Sequence, residues 1–126
     1  MVNDFSDLNV WQASKNMLIK IYDLTKTFPK QENYGLTDQL RRAANSICAN
    51  IAEGFDRYHP KDKIRFYYNA RASASEVKSH IMISKELNYL TMETSRTLIA
   101  ELNLIGKMLN GMISSLYARE RSAHKP

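Results

Sequence analysis

The chain has 126 residues, of which 44% are hydrophobic and 25% are charged, a composition that fits one globular domain and excludes a disordered protein. Four glycines and three prolines are too few for a turn-rich β fold, and a single cysteine excludes an internal disulfide or a cysteine-rich metal site. The net charge of +5 is compatible with nucleic acid or another anionic partner but does not require one.

The first predicted helix spans about residues 7–28. Ser6 or Asp7 is suited to cap its free amide groups, and Phe28 precedes a proline, which disfavours helical geometry. The residues before this helix are acidic rather than basic, and the chain has no run of about 18 apolar residues. We therefore expect a cytoplasmic protein with no signal peptide and no membrane span.

The second predicted helix, residues 37–54, is the element around which we expect the others to pack. Its apolar residues recur every three or four positions. Thr37 or its neighbour is the expected start and Gly54 the expected end, because glycine readily takes the left-handed conformation that terminates helices. The outer face is small and neutral-polar instead of charged, which predicts an interface with a second copy of the chain. The residues of this predicted subunit interface are Asn45, Ser46, Ala49 and Asn50.

The third predicted helix, residues 61–88, carries alanines and serines through its middle, from Ala70 to Ser75. Small side chains allow two helix axes to approach toward the short end of the usual range of about 8–10 Å. We therefore expect this segment to pack on the alanines, serines and asparagines of the second helix.

The fourth predicted helix, residues 92–117, is capped by Thr91 and carries a strict three-and-four repeat of apolar residues. Gly106 and Gly111 weaken a helix, so we expect a close contact to justify them. Residues 118–126 should form a frayed, mostly basic tail.

Four amphipathic helices with short connections predict an all-α fold, an antiparallel up-down-up-down four-helix bundle. No strand pattern competes with this interpretation. The bundle is expected to occupy residues 1–126 as a single domain.

The residues give no support for catalysis. A di-iron bundle needs Glu-x-x-His on two helices, whereas Glu76 and His80 are four positions apart. Cys48 lies in the apolar stripe of a helix, where cysteine usually acts as a small core residue. We therefore predict no enzyme activity, no metal, no cofactor and no small-molecule substrate.

Two glutamates, Glu53 and Glu76, lie among small, weakly polar neighbours, where a bare carboxylate is costly. The favoured interpretation is a structural polar network that fixes helix register or joins subunits, and the alternative is an acid–base role. The predicted members of the network are Arg41, Arg42, Asn50, Glu53, Ser73 and Glu76, with Arg71 as a further candidate.

Cations and aromatic residues alternate between Arg57 and Arg71, where Asp62 is the one acidic residue. Lysine and arginine neutralise phosphates, and aromatic rings stack on unpaired bases. The competing interpretation is that Phe66 and one tyrosine belong to the core and the cations form a solvated face. The predicted nucleic-acid contacts are Arg57, Lys61, Lys63, Arg65, Tyr68, Arg119 and Arg121, and Lys125 adds charge to the tail.

Three segments carry a family resemblance: FSDLNVWQAS at 5–14, FPKQENYGLTDQLRRAANSICANIAEGFDR at 28–57 and FYYNARASASEVKSHI at 66–81. They resemble the four-helix-bundle proteins encoded within intervening sequences of bacterial 23S ribosomal RNA genes, and the resemblance extends to about Ile113. It departs at residues 69–73, where a more apolar run is expected.

That family is similar in fold to the accessory proteins of diversity-generating retroelements, which form pentameric barrels with a basic surface and work with a reverse transcriptase and nucleic acid. The resemblance therefore implies a homopentamer that binds RNA or DNA. The alternative function is a protein-interaction adaptor without direct nucleic-acid contact, in which the small polar faces matter more than the cations.

Overall fold

The computed structural model describes residues 1–123, and within that range the chain forms four α-helices and no β-strand. The prediction of an all-α four-helix bundle is confirmed. Two single-turn 3₁₀ helices precede the first and second α-helices. The four helices are α1 (Asn9–Thr25), α2 (Leu36–Asp56), α3 (Pro60–Glu86) and α4 (Met92–Ala123).

Each helix packs against the next one in the chain, and α1 also packs against α4. Side-chain contacts give the direction of α3 relative to α4. Arg71 of α3 bonds to Asn110 of α4, and Lys78, further along α3, bonds to the earlier residue Asn103. The two helices are therefore antiparallel, as an up-down-up-down bundle requires.

The core is one cluster of apolar side chains contributed by all four helices. The spacing of three and four residues puts these side chains on one side of each helix, which explains why the sequence pattern located them. The core residues with the least exposure include Met17, Ile21, Leu40, Ile47, Ile51, Val77, Ile81, Ile105 and Leu109.

The most extensive helix packing joins α2 to α3. Ser73 Oγ donates a hydrogen bond to Ser46 Oγ over 2.9 Å, which confirms the predicted contact between the two small-residue segments. A Cβ atom on Gly54 would lie 2.7 Å from Tyr67 Cε1, which is shorter than the contacts that Cβ atoms make in proteins. The expectation that Gly54 ends α2 is wrong, because this glycine lies inside the helix and allows close packing instead.

The first helix begins later than predicted, at Asn9, and the second begins at Leu36, the neighbour of Thr37. The capping box belongs to the 3₁₀ turn before α1, where Asp4 accepts from the backbone N–H of Ser6 and Asp7 accepts from that of Asp4. The hydroxyl of Thr37 is buried without a hydrogen-bond partner among the described residues. The Glu32 carboxylate instead accepts from the Leu36 N–H at the start of α2.

Three helix ends also differ from the prediction. α1 ends at Thr25, and its chain reaches Phe28 through a tightened turn of i→i−3 hydrogen bonds. α3 ends at Glu86, where Asn88 takes the left-handed conformation with φ 64° and the Tyr89 N–H donates to Ser84 O, a Schellman motif. α4 continues to Ala123, through the first six of the nine residues predicted as a frayed tail.

Candidate nucleic-acid interface

The predicted nucleic-acid contacts gather at the end of the bundle where α2 ends, α3 begins and α4 ends. Lys63 of α3 contacts the last turn of α2, and it lines an apolar cavity of ≈ 570 Å³ together with Arg119 of α4. Tyr58 and His59 form the exposed connection from α2 to α3, with ring centroids 5.0 Å apart. The fold thus brings cations from separate parts of the chain onto one surface.

The ring of Phe66 holds two arginine side chains of this surface in place. The guanidinium carbons of Arg57 and Arg65 lie 4.7 Å and 4.5 Å from the centroid of its ring, and the ring itself is buried. Arg57 also lies 3.9 Å from the Glu53 carboxylate, an exposed ion pair that contributes little stability. A guanidinium stacked on a ring is held in place while its N–H edge can still bind a phosphate.

Lys63 has a structural role that the sequence did not reveal. Its Nζ donates to the backbone carbonyls of Phe55 and Gly54 at the end of α2 and lies 5.5 Å from the Phe55 ring centroid. A cation is favourable at the C-terminus of a helix. Burial lowers the pKa of Lys63, Arg119 lowers it further, and Asp56 acts in the opposite direction. Lys63 is therefore mainly a structural contact to the end of α2 and is less available to bind a ligand.

Tyr68 is half-buried between α3 and α4. The guanidinium carbon of Arg71 lies 4.7 Å from its ring centroid. The hydrogen bond with Tyr68 is the main cause of a raised pKa at the Tyr117 hydroxyl of α4. Tyr68 therefore packs between the helices, which leaves less of its ring for a base than predicted.

The remaining predicted cations, Lys61, Arg119 and Arg121, are exposed. Acidic side chains lie at the same end of the bundle, so the surface is less positive than the count between Arg57 and Arg71 suggests. These acids include Glu53, Asp56, Asp62 and Glu120. Lys125 lies outside the described residues.

The predicted polar network is divided into separate contacts. Asn50 Nδ2 donates to the backbone oxygen and the hydroxyl of Ser46, at 2.8 Å and 3.0 Å, and Ser73 joins this group. Arg41 Nε instead donates to Thr25 Oγ1 of α1 over 2.9 Å.

The other predicted network members pair with residues four positions away in the chain. Arg42 pairs with Asp38 over 2.9 Å, Glu53 with Arg57 over 3.9 Å, and Glu76 with His80 over 3.5 Å. The serine–asparagine group therefore joins α2 to α3. Glu76 pairs within α3, and Glu53 pairs with Arg57, the first residue after α2.

The predicted subunit interface divides into two parts within one chain. Ser46 and Asn50 are half-buried and belong to the group that joins α2 to α3. Asn45 and Ala49 are exposed on the outer side of α2. An interface with a second copy would therefore centre on these two residues.

Within residues 1–123, no group of three or more potential ligands is arranged to hold a metal ion. Cys48 is buried, and burial raises the pKa of its thiol to about 11. A thiol with so high a pKa is almost fully protonated at neutral pH and is a poor nucleophile. None of the helices in the same range is long and apolar enough to cross a membrane.

The sequence matches the 23S rRNA-intervening sequence protein family over residues 6–111. The chain belongs to this family. The fold is similar to a crystal structure of a protein of unknown function from the S23 ribosomal protein family of Bacteroides thetaiotaomicron, with 25% sequence identity and a TM-score of 0.77. The similarity covers 82% of this chain and 97% of that one. No curated protein matches the chain.

These comparisons confirm the family resemblance seen in the sequence, and neither of them names a ligand, an oligomer or a reaction. The sequence of this family member did not point to a second basic surface, between α3 and α4, because its residues are far apart in the chain. Arg71, Lys78 and Lys107 come together there with Asn103 and Asn110. Their pairing depends on the register of two antiparallel helices, which no local pattern reports.

Proposed function

We propose that this member of the 23S rRNA-intervening sequence protein family is a non-enzymatic cytoplasmic homo-oligomer that binds RNA or DNA. The pairing of Arg57 and Arg65 on the ring of Phe66 is the observation that carries this proposal. The pentamer implied by the resemblance to the retroelement accessory proteins is the assembly that we propose.

The chemistry of this surface suits the backbone of a nucleic acid. Arg57 and Arg65 are exposed and ordered, so they lose little conformational freedom when they contact a phosphate. The Tyr58 side chain is 88% exposed beside them and offers a ring on which an unpaired base can stack. Each surface is small, and a ring of copies would multiply the weak individual contacts through avidity.

The test is binding to a structured RNA and to DNA over a range of salt concentrations. The double variant R57E/R65E should weaken binding to all sequences alike. The slope of log affinity against log salt should fall by about 0.7 for each lost contact with a single strand, and by about 0.9 for a duplex. The matched control, K26E/K30E, makes the same change of charge where α1 leads into α2 and should bind as the wild type does.

Two results would contradict the proposal. One is a wild-type protein that binds neither nucleic acid at low salt, or whose binding does not respond to salt. The other is an equal loss of affinity in R57E/R65E and in K26E/K30E, because net charge alone would then explain the binding.

A protein-interaction adaptor is the second candidate function, and one observation favours it. Four large apolar side chains around the connection from α3 to α4 are about half exposed: Met82, Ile83, Leu87 and Met92. Exposed apolar patches often mark sites of protein association. A purified partner that binds after nuclease treatment, and equally to R57E/R65E, would favour the adaptor.

A further inference from the structure

A groove of ≈ 370 Å³ runs between α3 and α4, away from the pair of arginines on Phe66. Three cations line it, Arg71 and Lys78 from α3 and Lys107 from α4. Across the described part of the chain, no aspartate or glutamate lines this groove. Within residues 1–123, no acidic side chain in the lining therefore balances the positive charge of the groove. The surface around Arg57 differs, because acidic side chains lie beside its cations.

The antiparallel register builds two matching pairs in the groove. Arg71 Nη1 donates to Asn110 Oδ1 over 2.8 Å, and Lys78 Nζ donates to Asn103 Oδ1 over 3.2 Å. The two residues that each helix contributes to these pairs are seven positions apart in the sequence. This spacing corresponds to about 10.5 Å along the helix axis. The groove thus has a cation and a carboxamide at each of two positions.

These pairs leave mainly hydrogen-bond donors for a ligand. Each carboxamide oxygen already accepts from a cation with one of its two lone pairs, whereas the amide NH₂ groups of Asn103 and Asn110 keep both of their N–H donors for a ligand. Lys107 makes no hydrogen bond or ion pair with any residue in the range 1–123. A surface that offers ammonium, guanidinium and amide donors together is suited to an oxyanion with several acceptor oxygens.

The groove also has room for such a group. Gly106 lies between the two pairs, and a Cβ atom placed there would have no heavy atom of another helix in the range 1–123 within 4 Å. The expectation that a close helix contact explains this glycine is therefore wrong within the single chain. The groove over Gly106 is lined by these donors together with Ala74, Ser75 and Leu102.

We propose that this groove binds phosphate groups, held by Arg71, Lys78 and Lys107 and by the amides of Asn103 and Asn110. This site rests on the proposed function where the phosphates belong to a nucleic-acid backbone. A small phosphorylated molecule has the same chemistry and is the other source. Arg71 also stacks on Tyr68, so a strand bound in the groove would continue toward the Arg57 surface.

The test is a titration with pyrophosphate at constant ionic strength, followed by the NMR signals of the side-chain amides of Asn103 and Asn110. In the wild type these signals should shift and saturate. Gly106→Glu should weaken the binding at least about tenfold, because it adds a carboxylate to the groove. Gly111→Glu is the matched control, since its Cβ would also meet nothing within 4 Å among residues 1–123 and it lines a different cavity.

Two results would contradict phosphate binding in the groove. One is amide signals that do not shift in the wild type, and the other is an equal loss of pyrophosphate affinity in Gly106→Glu and Gly111→Glu. Failure of the groove and failure of the proposed function are distinguishable. If RNA or DNA binds through Arg57 and Arg65 while both amides stay unshifted, the groove is wrong and the function stands. If pyrophosphate shifts both amides while no nucleic acid binds or displaces it, the groove takes small phosphorylated molecules and the proposed function is wrong.

Discussion

Tyr67 links the packing of one side chain to the stability of the protein at high pH. Its ring is buried against Gly54, and burial raises the pKa of its hydroxyl to about 12, with a further contribution from Asp56. An unfolded chain loses the same proton near pH 10. Between about pH 10 and 12 the unfolded state therefore holds fewer protons than the folded state, and the free energy of unfolding falls as pH rises.

We predict that Tyr67→Phe reduces this alkaline loss of stability. Urea unfolding at pH values from about 8 to about 11 measures the effect. The free energy of unfolding of Tyr67→Phe should decline less steeply above pH 10 than that of the wild type. Tyr34, which is 98% exposed, provides the control, and Tyr34→Phe should follow the wild-type curve. Parallel curves for Tyr67→Phe and the wild type would show that the buried hydroxyl does not cause the pH dependence.

The glycines of α2 and α4 show that one residue type has opposite roles in two helices. In α4, a Cβ atom at Gly106 or Gly111 would meet nothing within 4 Å among the described residues. In α2, a Cβ atom at Gly54 would lie 2.7 Å from Tyr67 Cε1 and 3.0 Å from Phe66 Cβ. Alanine at the first two positions keeps every contact, whereas alanine at the third forces α2 and α3 apart.

We predict that Gly106→Ala and Gly111→Ala each stabilise the protein by about 1 kcal/mol, the difference in helix propensity between the two residues. Gly54→Ala should destabilise it, because the overlap with the Tyr67 ring outweighs the same gain in propensity. Urea unfolding midpoints at neutral pH compare the three variants, which differ from the wild type by the same methyl group. A stabilised Gly54→Ala would mean that α2 and α3 can separate without cost.

The elements that the sequence predicted well depend on local patterns. Four helices, their core faces and the cap at Thr91, whose Oγ1 accepts from the Thr94 N–H over 3.1 Å, all follow from spacing within a few residues. Helix ends were predicted less well. Gly54 serves a contact with another helix, and residues 118–123 are mostly good helix formers that extend α4.

The candidate sites belong to the scale of the whole molecule, where local patterns are least informative. The sequence placed cations near one another between Arg57 and Arg71. The fold holds Arg57 and Arg65 together on Phe66 at one end of the bundle, whereas Arg71 lies in the groove between α3 and α4. The sequence did not reveal that Lys63 donates a hydrogen bond to a backbone carbonyl at the end of α2. Nor did it reveal the groove of Lys78 and Lys107, because residues on α3 and α4 meet only through the helix register.

Assembly is the property of the whole molecule on which the proposed binding depends most. Ser46 bonds to Ser73 of α3 and to Asn50 within the same chain, so a second copy is needed to cover only Asn45 and Ala49. We predict that the wild type is an oligomer and that Ala49→Arg dissociates it, since a charged side chain is costly at the centre of an interface. Because Ala49 is exposed in one chain, the helical content should not change.

Light scattering measures the mass, and circular dichroism checks the fold. Ala100→Arg on α4 is the control, because Ala100 is also exposed and lies outside the predicted interface. It should keep the wild-type mass. If avidity supports binding, Ala49→Arg should also weaken nucleic-acid affinity although it adds a positive charge, which by itself would strengthen attraction to phosphates. Two results would show that nucleic-acid binding by the basic surface does not depend on assembly. One is a monomeric wild type, and the other is a dissociated Ala49→Arg variant that binds nucleic acid as tightly as the wild type.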